Sequence, residues 1–279
     1  AAAGLAANAS IGWFKSLPAE MEMGPLSRSS TVVAKDGSEI ATFFAQNREP
    51  VSLNQISPNM KKALLSIEDR DFYDHGGVDP WGIVRAMGNN VLRPSNRQGA
   101  STITQQYVNN LIIDQQVRAG EKASTIGADK GIVDKIKEIK LALSMEQEKS
   151  KDEILEGYLN IVLFSGRSYG VEAASQYVFG KSAADLESWE AATLAGMVQS
   201  PTRFNPARNP EEATERRNLV LNAMKDNGYL SQEEYDHAVA QPMEVVMESR
   251  PSGCLYAKFG TYFCDYVERQ ILADPTFGP

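Results

Sequence analysis

Glu68 and Asp69 stand side by side, followed by Asp71, Asp74 and His75 in an acid-rich run that closes on Gly76-Gly77. Further along, the turn residue Gly99 is followed by Ser101, Thr102, Thr104, Gln105 and Gln106, a stretch crowded with hydroxyls and amides. A carboxylate pair facing a neutral hydrogen-bonding helix suits a sugar better than a nucleic acid. Sugars need an acid or base at the reacting oxygen and short polar side chains for their hydroxyls. Taken alone, the acidic run reads better as a solvated turn beside an N-capped helix. The combination of the two runs favours the sugar.

Helices are the elements that must position these groups. From about residue 57 to 240 the apolar pattern is helical, starting with Met60, Ala63, Leu64 and Ile67 ahead of Glu68. Asp79-Pro80 reads as the start of a helix through residue 92, and residues 93–98 as a mobile loop. From Ser101 to about residue 113 the chain is amphipathic, with Ile103, Tyr107, Leu111 and Ile112 inward and Ser101, Gln105 and Asn109 sharing the other face. Residues 114–127 are polar and read as loop. A long helix over 130–148 carries the stripe Ile132, Ile136, Ile139 and Leu143. Ser150 with Glu153, and Ser231 with Glu234, are capping boxes; Asn209-Pro210 starts a helix that Gly228 closes. Ahead of the helices, Asp36-Gly37 between two β-type runs predicts a hairpin.

At 279 residues the chain can bury a full core. Its net charge of −8 argues against a nucleic-acid partner, which selects a basic face. A polyanionic substrate must then be met locally. Lys130, Lys135, Lys137 and Lys140 against Asp134 and Glu138 give four cations to two anions, a local +2. For any single lysine a solvated helix face is the stronger reading. There is no apolar run of about 18 residues, the length that spans a bilayer. Residues 1–14 are small and apolar, and composition does not decide between the end of a membrane anchor and an added stretch.

Glu68-Asp69-x-x-Phe72-x-x-His75-x-Gly77 followed by Gly99-x-Ser101-Thr102-Ile103-Thr104-Gln105-Gln106 resembles the peptidoglycan glycosyltransferase domain (glycosyltransferase family 51) of class A penicillin-binding proteins and monofunctional transglycosylases. Lys151-x-x-Ile154-Leu155-Glu156-x-Tyr158-Leu159-Asn160 and Arg216-x-x-x-Val220-Leu221 are similar to that family's later motifs, in the same order. The resemblance runs from about residue 53 to about residue 242. It departs at two cationic positions: Asp134 stands where the family's third motif has arginine ahead of Lys135, and Asn109 where a lysine is expected.

The resemblance implies a mostly α, lysozyme-like two-lobed domain over 53–242, with a smaller membrane-facing lobe at about 87–131. Residues 1–52 would be a membrane-proximal segment with a β-hairpin, and 243–279 a linker bearing the cysteine pair. The implied reaction polymerises lipid II, a lipid-linked disaccharide-pentapeptide, into β-1,4 glycan with inversion at the donor carbon and release of lipid pyrophosphate. Glu68 matches the catalytic base. Glu138 is a second catalytic candidate, either salt-bridged or holding a divalent cation (Mg or Mn) at the pyrophosphate. Asp69, Arg85, Ser101, Thr102, Gln105, Gln106, Lys130, Lys135 and Lys137 are the expected substrate contacts. His75 is assigned to structure, and Arg216 to locking helices together.

No organic cofactor is implied. The expected partners are lipid II, the growing glycan, the membrane surface and a transpeptidase, fused or separate, whose Ser-x-x-Lys signature does not occur here. The expected location is the outer face of the bacterial cytoplasmic membrane, with an anchoring helix upstream. For such an exported chain, the even pair Cys254 and Cys264 favours a disulfide over two buried free thiols. Two other readings remain: a lysozyme-like enzyme that cleaves glycan with Glu68 as acid, and a catalytically weak module that binds lipid II.

Overall fold

The computed structural model describes residues 24, 26–82, 101–119, 131–274 and 276. The expected loop at 93–98, most of the small lobe at 87–131, Arg85 and Lys130 lie outside these residues. Of the helix expected from Pro80, the described residues show its first turn, 80–82.

The described chain is mostly helical. After β1 (Ser30–Val33), β2 (Glu39–Phe43) and the short β3 (Asn47–Arg48) come α1 (Pro58–Glu68), α2 (Ile103–Arg118), α3 (Ile132–Glu148) and α4 (Lys151–Ile161). Strands β4 (Leu163–Ser165) and β5 (Ser168–Tyr169) precede α5 (Val171–Phe179), α6 (Ser188–Val198), α7 (Pro210–Asp226), α8 (Gln232–Ala240) and α9 (Thr261–Ala273). β1 and β2 form the expected antiparallel hairpin around Gly37, pairing Ser30 with Phe43. β5 sits between β3, to which it is parallel, and β4, to which it is antiparallel.

Two helix groups share one core. α1 packs against α6 and α7, while α2 packs against α3 and α4. Met60, Ala63 and Leu64 of α1 and Ile154, Leu155, Tyr158 and Leu159 of α4 are fully buried in a single apolar cluster. Both helices repeat apolar residues at three- and four-residue spacing, so each has one face to bury. The capping boxes form as expected: Ser150 Oγ accepts from Glu153 N–H, and Ser231 Oγ from Glu234 N–H.

Three expectations change. α2 continues to Arg118, through residues read as loop, because Asp114 is not a solvated turn residue. Its carboxylate is 4% exposed and matched by Arg48 and Arg118, so the polar run is helix that faces a buried ion pair. In α3 the buried line is Glu138, Ala142 and Met145, whereas Ile136, Ile139 and Leu143 stay half-buried. The helix is turned so that a carboxylate, rather than the apolar stripe, lies on its buried line.

The third change concerns the hairpin and the cysteine tail, which are more than linkers. Ile40 and Ala41 of β2 close on Cys264 of α9 in a small second core. Thr42 O accepts from Gly253 N–H at 2.8 Å and Ile40 O from Lys258 N–H at 2.9 Å. More than two hundred residues separate the partners, so neither segment shows the contact in its own pattern. Cys254 and Cys264 are disulfide-bonded within this unit. Replacing both by serine is expected to destabilise it by roughly 2–3 kcal/mol, the weight of closing a short loop. Thermal unfolding with and without reductant checks this, and identical curves would contradict it.

Candidate active site

The acidic run and the hydroxyl-rich helix meet at the junction of the two helix groups. Asp69, at the C-cap of α1, joins them. Its carboxylate accepts from Ile103 N–H, in the first turn of α2, at 2.9 Å, and lies 2.9 and 3.0 Å from His75 Nε2. Gly77 N–H donates to His75 Nδ1 at 3.2 Å, which leaves the hydrogen on Nε2 aimed at Asp69. An anion at a helix N-terminus also complements the helix dipole. Gly77 itself has φ +88°, and a Cβ there would lie 3.0 Å from Ala142 O, so the turn requires glycine.

The second motif hangs from that turn. Thr102, the N-cap of α2, donates to Gly77 O at 2.7 Å and accepts from Gln105 N–H at 3.2 Å. Gln105 Nε2 donates to the same carbonyl at 3.3 Å, and its Oε1 accepts from Lys135 Nζ at 3.1 Å. Lys135 also donates to Ser101 Oγ at 2.9 Å and is paired with Glu138 one turn along α3. Thr104 and Lys151 meet at the buried Glu146 carboxylate, which ties α2, α3 and α4 together.

The expected site residues differ in how far they are open to a ligand. Asp69, Thr102 and Gln105 are 7%, 2% and 2% exposed, and their polar groups are turned to protein partners. They build the frame rather than line its opening. Ser101 and Lys135 are partly exposed, with Lys135 at 43%, and so remain within reach of a ligand. Lys137 does not join this cluster: its ammonium lies 3.6 Å from Asp134 on the solvent side of α3. His75 has the structural place expected of it.

Glu68 ends α1 with its side chain 14% exposed. Gln106 Nε2 donates to Oε2 at 2.8 Å, and Arg216 of α7 lies 4.0 Å from Oε1. Burial pushes the Glu68 carboxyl above the ordinary glutamate value; the Gln106 hydrogen bond and the Arg216 charge pull it back, and neighbouring Asp69 adds to the rise. A carboxylate held in this balance takes a proton more readily than an ordinary glutamate does.

Arg216 has the locking role expected of it, donating from Nε to Gly196 O of α6 at 3.4 Å, and it also reaches the carboxylate. It crosses α6 at Gly196, where a Cβ would come within 2.9 Å of the Arg216 side chain. Arg217 makes a second lock, its guanidinium donating to Gln241 O at 2.7 Å and Val239 O at 3.1 Å.

Glu138 faces an ammonium, and among the described residues no three His, Cys, Asp or Glu side chains gather to hold a metal.

A carboxylate with raised proton affinity, a lysine one helix away and a helix start rich in hydroxyls and amides between them suit glycosyl transfer. The family profile described as Transglycosylase matches residues 36–225. The chain belongs to this transglycosylase family, and the enzyme class that goes with it is peptidoglycan glycosyltransferase.

Penicillin-binding protein 1A of Escherichia coli is 42% identical over 74% of this chain and 23% of its own length. Penicillin-binding protein 1A/1B of Bacillus subtilis is 41% identical over 75% of this chain and 22% of its own. Penicillin-binding protein 1F of the same species is 37% identical over 75% and 28%. The chain thus spans about a quarter of the length of the relatives it matches.

Proposed function

We propose that this chain polymerises a lipid-pyrophosphate-linked disaccharide-pentapeptide into β-1,4 glycan, inverting the donor carbon. The observation that carries this reading is Glu68, a largely buried carboxylate that accepts from a neutral amide beside a guanidinium, with the partly exposed Lys135 of α3 held against the start of α2. Glu68 removes the proton from the acceptor sugar's 4-hydroxyl as that oxygen attacks the anomeric carbon. The bond from that carbon to the pyrophosphate oxygen breaks, and its electron pair leaves with the phosphate. Lys135 is the group placed to meet the charge that develops there, with Ser101 beside it. Glu138 holds the Lys135 ammonium in position. Arg85 and Lys130 are proposed as further contacts of the same polyanion.

The setting proposed is the outer face of the cytoplasmic membrane, where the lipid tail of the substrate stays in the bilayer. Among the described residues no helix is long and apolar enough to cross a membrane. The relatives' names suit a transpeptidase as fused or separate partner.

Product analysis tests the stereochemistry. The expected product is a long glycan whose new linkages are β, fully digested by a β-1,4 muramidase, with one lipid pyrophosphate released per bond formed. An α-linked product contradicts inversion. Release of reducing ends from purified cell wall without lipid-linked substrate would instead identify a hydrolase, and tight binding without turnover a binding module.

A further inference from the structure

Glu68 is held on both oxygens by groups that other helices fix. One of those groups is a glutamine with its amide fully engaged. Gln106 Nε2 donates to Glu68 Oε2 at 2.8 Å, and the phenol of Tyr158 donates to Gln106 Oε1 at 2.7 Å. Tyr158 lies on α4 with no exposure at all. A phenylalanine would fill the same volume, so packing alone does not account for the hydroxyl. In so buried a place a hydroxyl must have a partner, and here that partner faces the site.

We propose that Tyr158 is a positioning residue for the base: its hydroxyl fixes which way the Gln106 amide points, and the amide fixes the place and basicity of the Glu68 carboxylate. This rests on the reading of Glu68 as the base. With Oε1 held by the phenol, the NH₂ end of Gln106 must face Glu68. Without the phenol the amide is free to turn over and set its oxygen against the carboxylate, which favours the protonated acid. Among the described residues the charged groups facing Glu68 are Arg216 from α7 and its own neighbour Asp69, with Gln106 from α2 donating to it and Tyr158 from α4 behind that amide. Burial and the Glu68 charge both push the phenol well above its ordinary pKa, so it stays a donor while Glu68 works as a base.

The test is the pH profile of kcat/KM, whose acid limb reports the free enzyme's base. Tyr158→Phe is expected to move that limb up by about one pH unit, a roughly tenfold loss at any pH on the limb, with recovery on the alkaline plateau. Gln106→Leu is expected to move it the same way, and the double variant no further than Gln106→Leu alone, since the phenol acts only through the amide. Circular dichroism and thermal unfolding verify that each variant is folded. A purely structural tyrosine would scale the whole profile without moving the limb, and that result overturns the proposal. So does a Tyr158→Phe shift of equal size in the Gln106→Leu background. Glu68→Gln separates the two claims: retained turnover removes the base assignment, whereas lost turnover with an unmoved Tyr158→Phe limb removes only the positioning role.

Discussion

Glu68→Gln is expected to lower polymerisation by about 10²–10⁴-fold, the usual weight of a positioned general base. Glutamine keeps the size and one oxygen, so contacts with Gln106 and Arg216 can persist in altered form. What disappears is the ability to accept a proton. The fold should tolerate the change well, because the wild-type carboxylate is itself disfavoured by burial and the variant removes that cost. The pH dependence follows from the same balance. Glu68 must be ionised to act, and its pKa lies above the ordinary glutamate value, so kcat/KM should rise with pH through that raised value and level off above it. Steady-state assays of the purified variant check the size of the loss. Near-normal turnover would show that another group takes the proton.

Lys135→Ala is expected to cut kcat/KM by roughly 10–100-fold, corresponding to loss of one charge-assisted hydrogen bond of about 1.5–3 kcal/mol. Lys135 is the described cation that the site's own residues hold in place, through Ser101, Gln105 and Glu138. Truncation also leaves the Glu138 carboxylate, 7% exposed, without that ammonium, so a negative charge would then face an anionic substrate. Lys137→Ala should cost less, because the Lys137 ammonium sits with Asp134 in solvent, where a pair contributes about 0–1 kcal/mol. Comparing the two variants in one assay distinguishes a site lysine from a helix-face lysine. Equal losses would return Lys137 to the site.

Much of this was legible in the sequence, for local reasons. Ser150 with Glu153 and Ser231 with Glu234 announce helix starts because the capping bonds lie within four residues. The motif that ends at Gln106 carries the short polar side chains that the site uses. Illegible features depend on partners far away in the chain. Asp114 reads as loop until Arg48 is set against it, and the hairpin reads as a linker until Cys264 closes on Ile40. The site shows the same limit. Residue type identified Thr102 and Gln105 as hydrogen-bonding groups, but not that Gly77 O would absorb their donors. Tyr158 has core spacing and is core, and its hydroxyl's role emerges only from Gln106 being across the helix pair. Arg216 carries the motif, but its reach to Glu68 depends on Gly196 of a neighbouring helix, where a Cβ would stand in its way.

Consumption of a lipid-pyrophosphate-linked disaccharide-pentapeptide by the purified chain in detergent tests the central claim most directly. The substrate carries a label on its sugar, and products are separated by size. Steady loss of the substrate into high-molecular-weight glycan, with stoichiometric lipid pyrophosphate, is the predicted result. Unchanged substrate after prolonged incubation with folded protein, or its conversion to free disaccharide with no polymer, would contradict it.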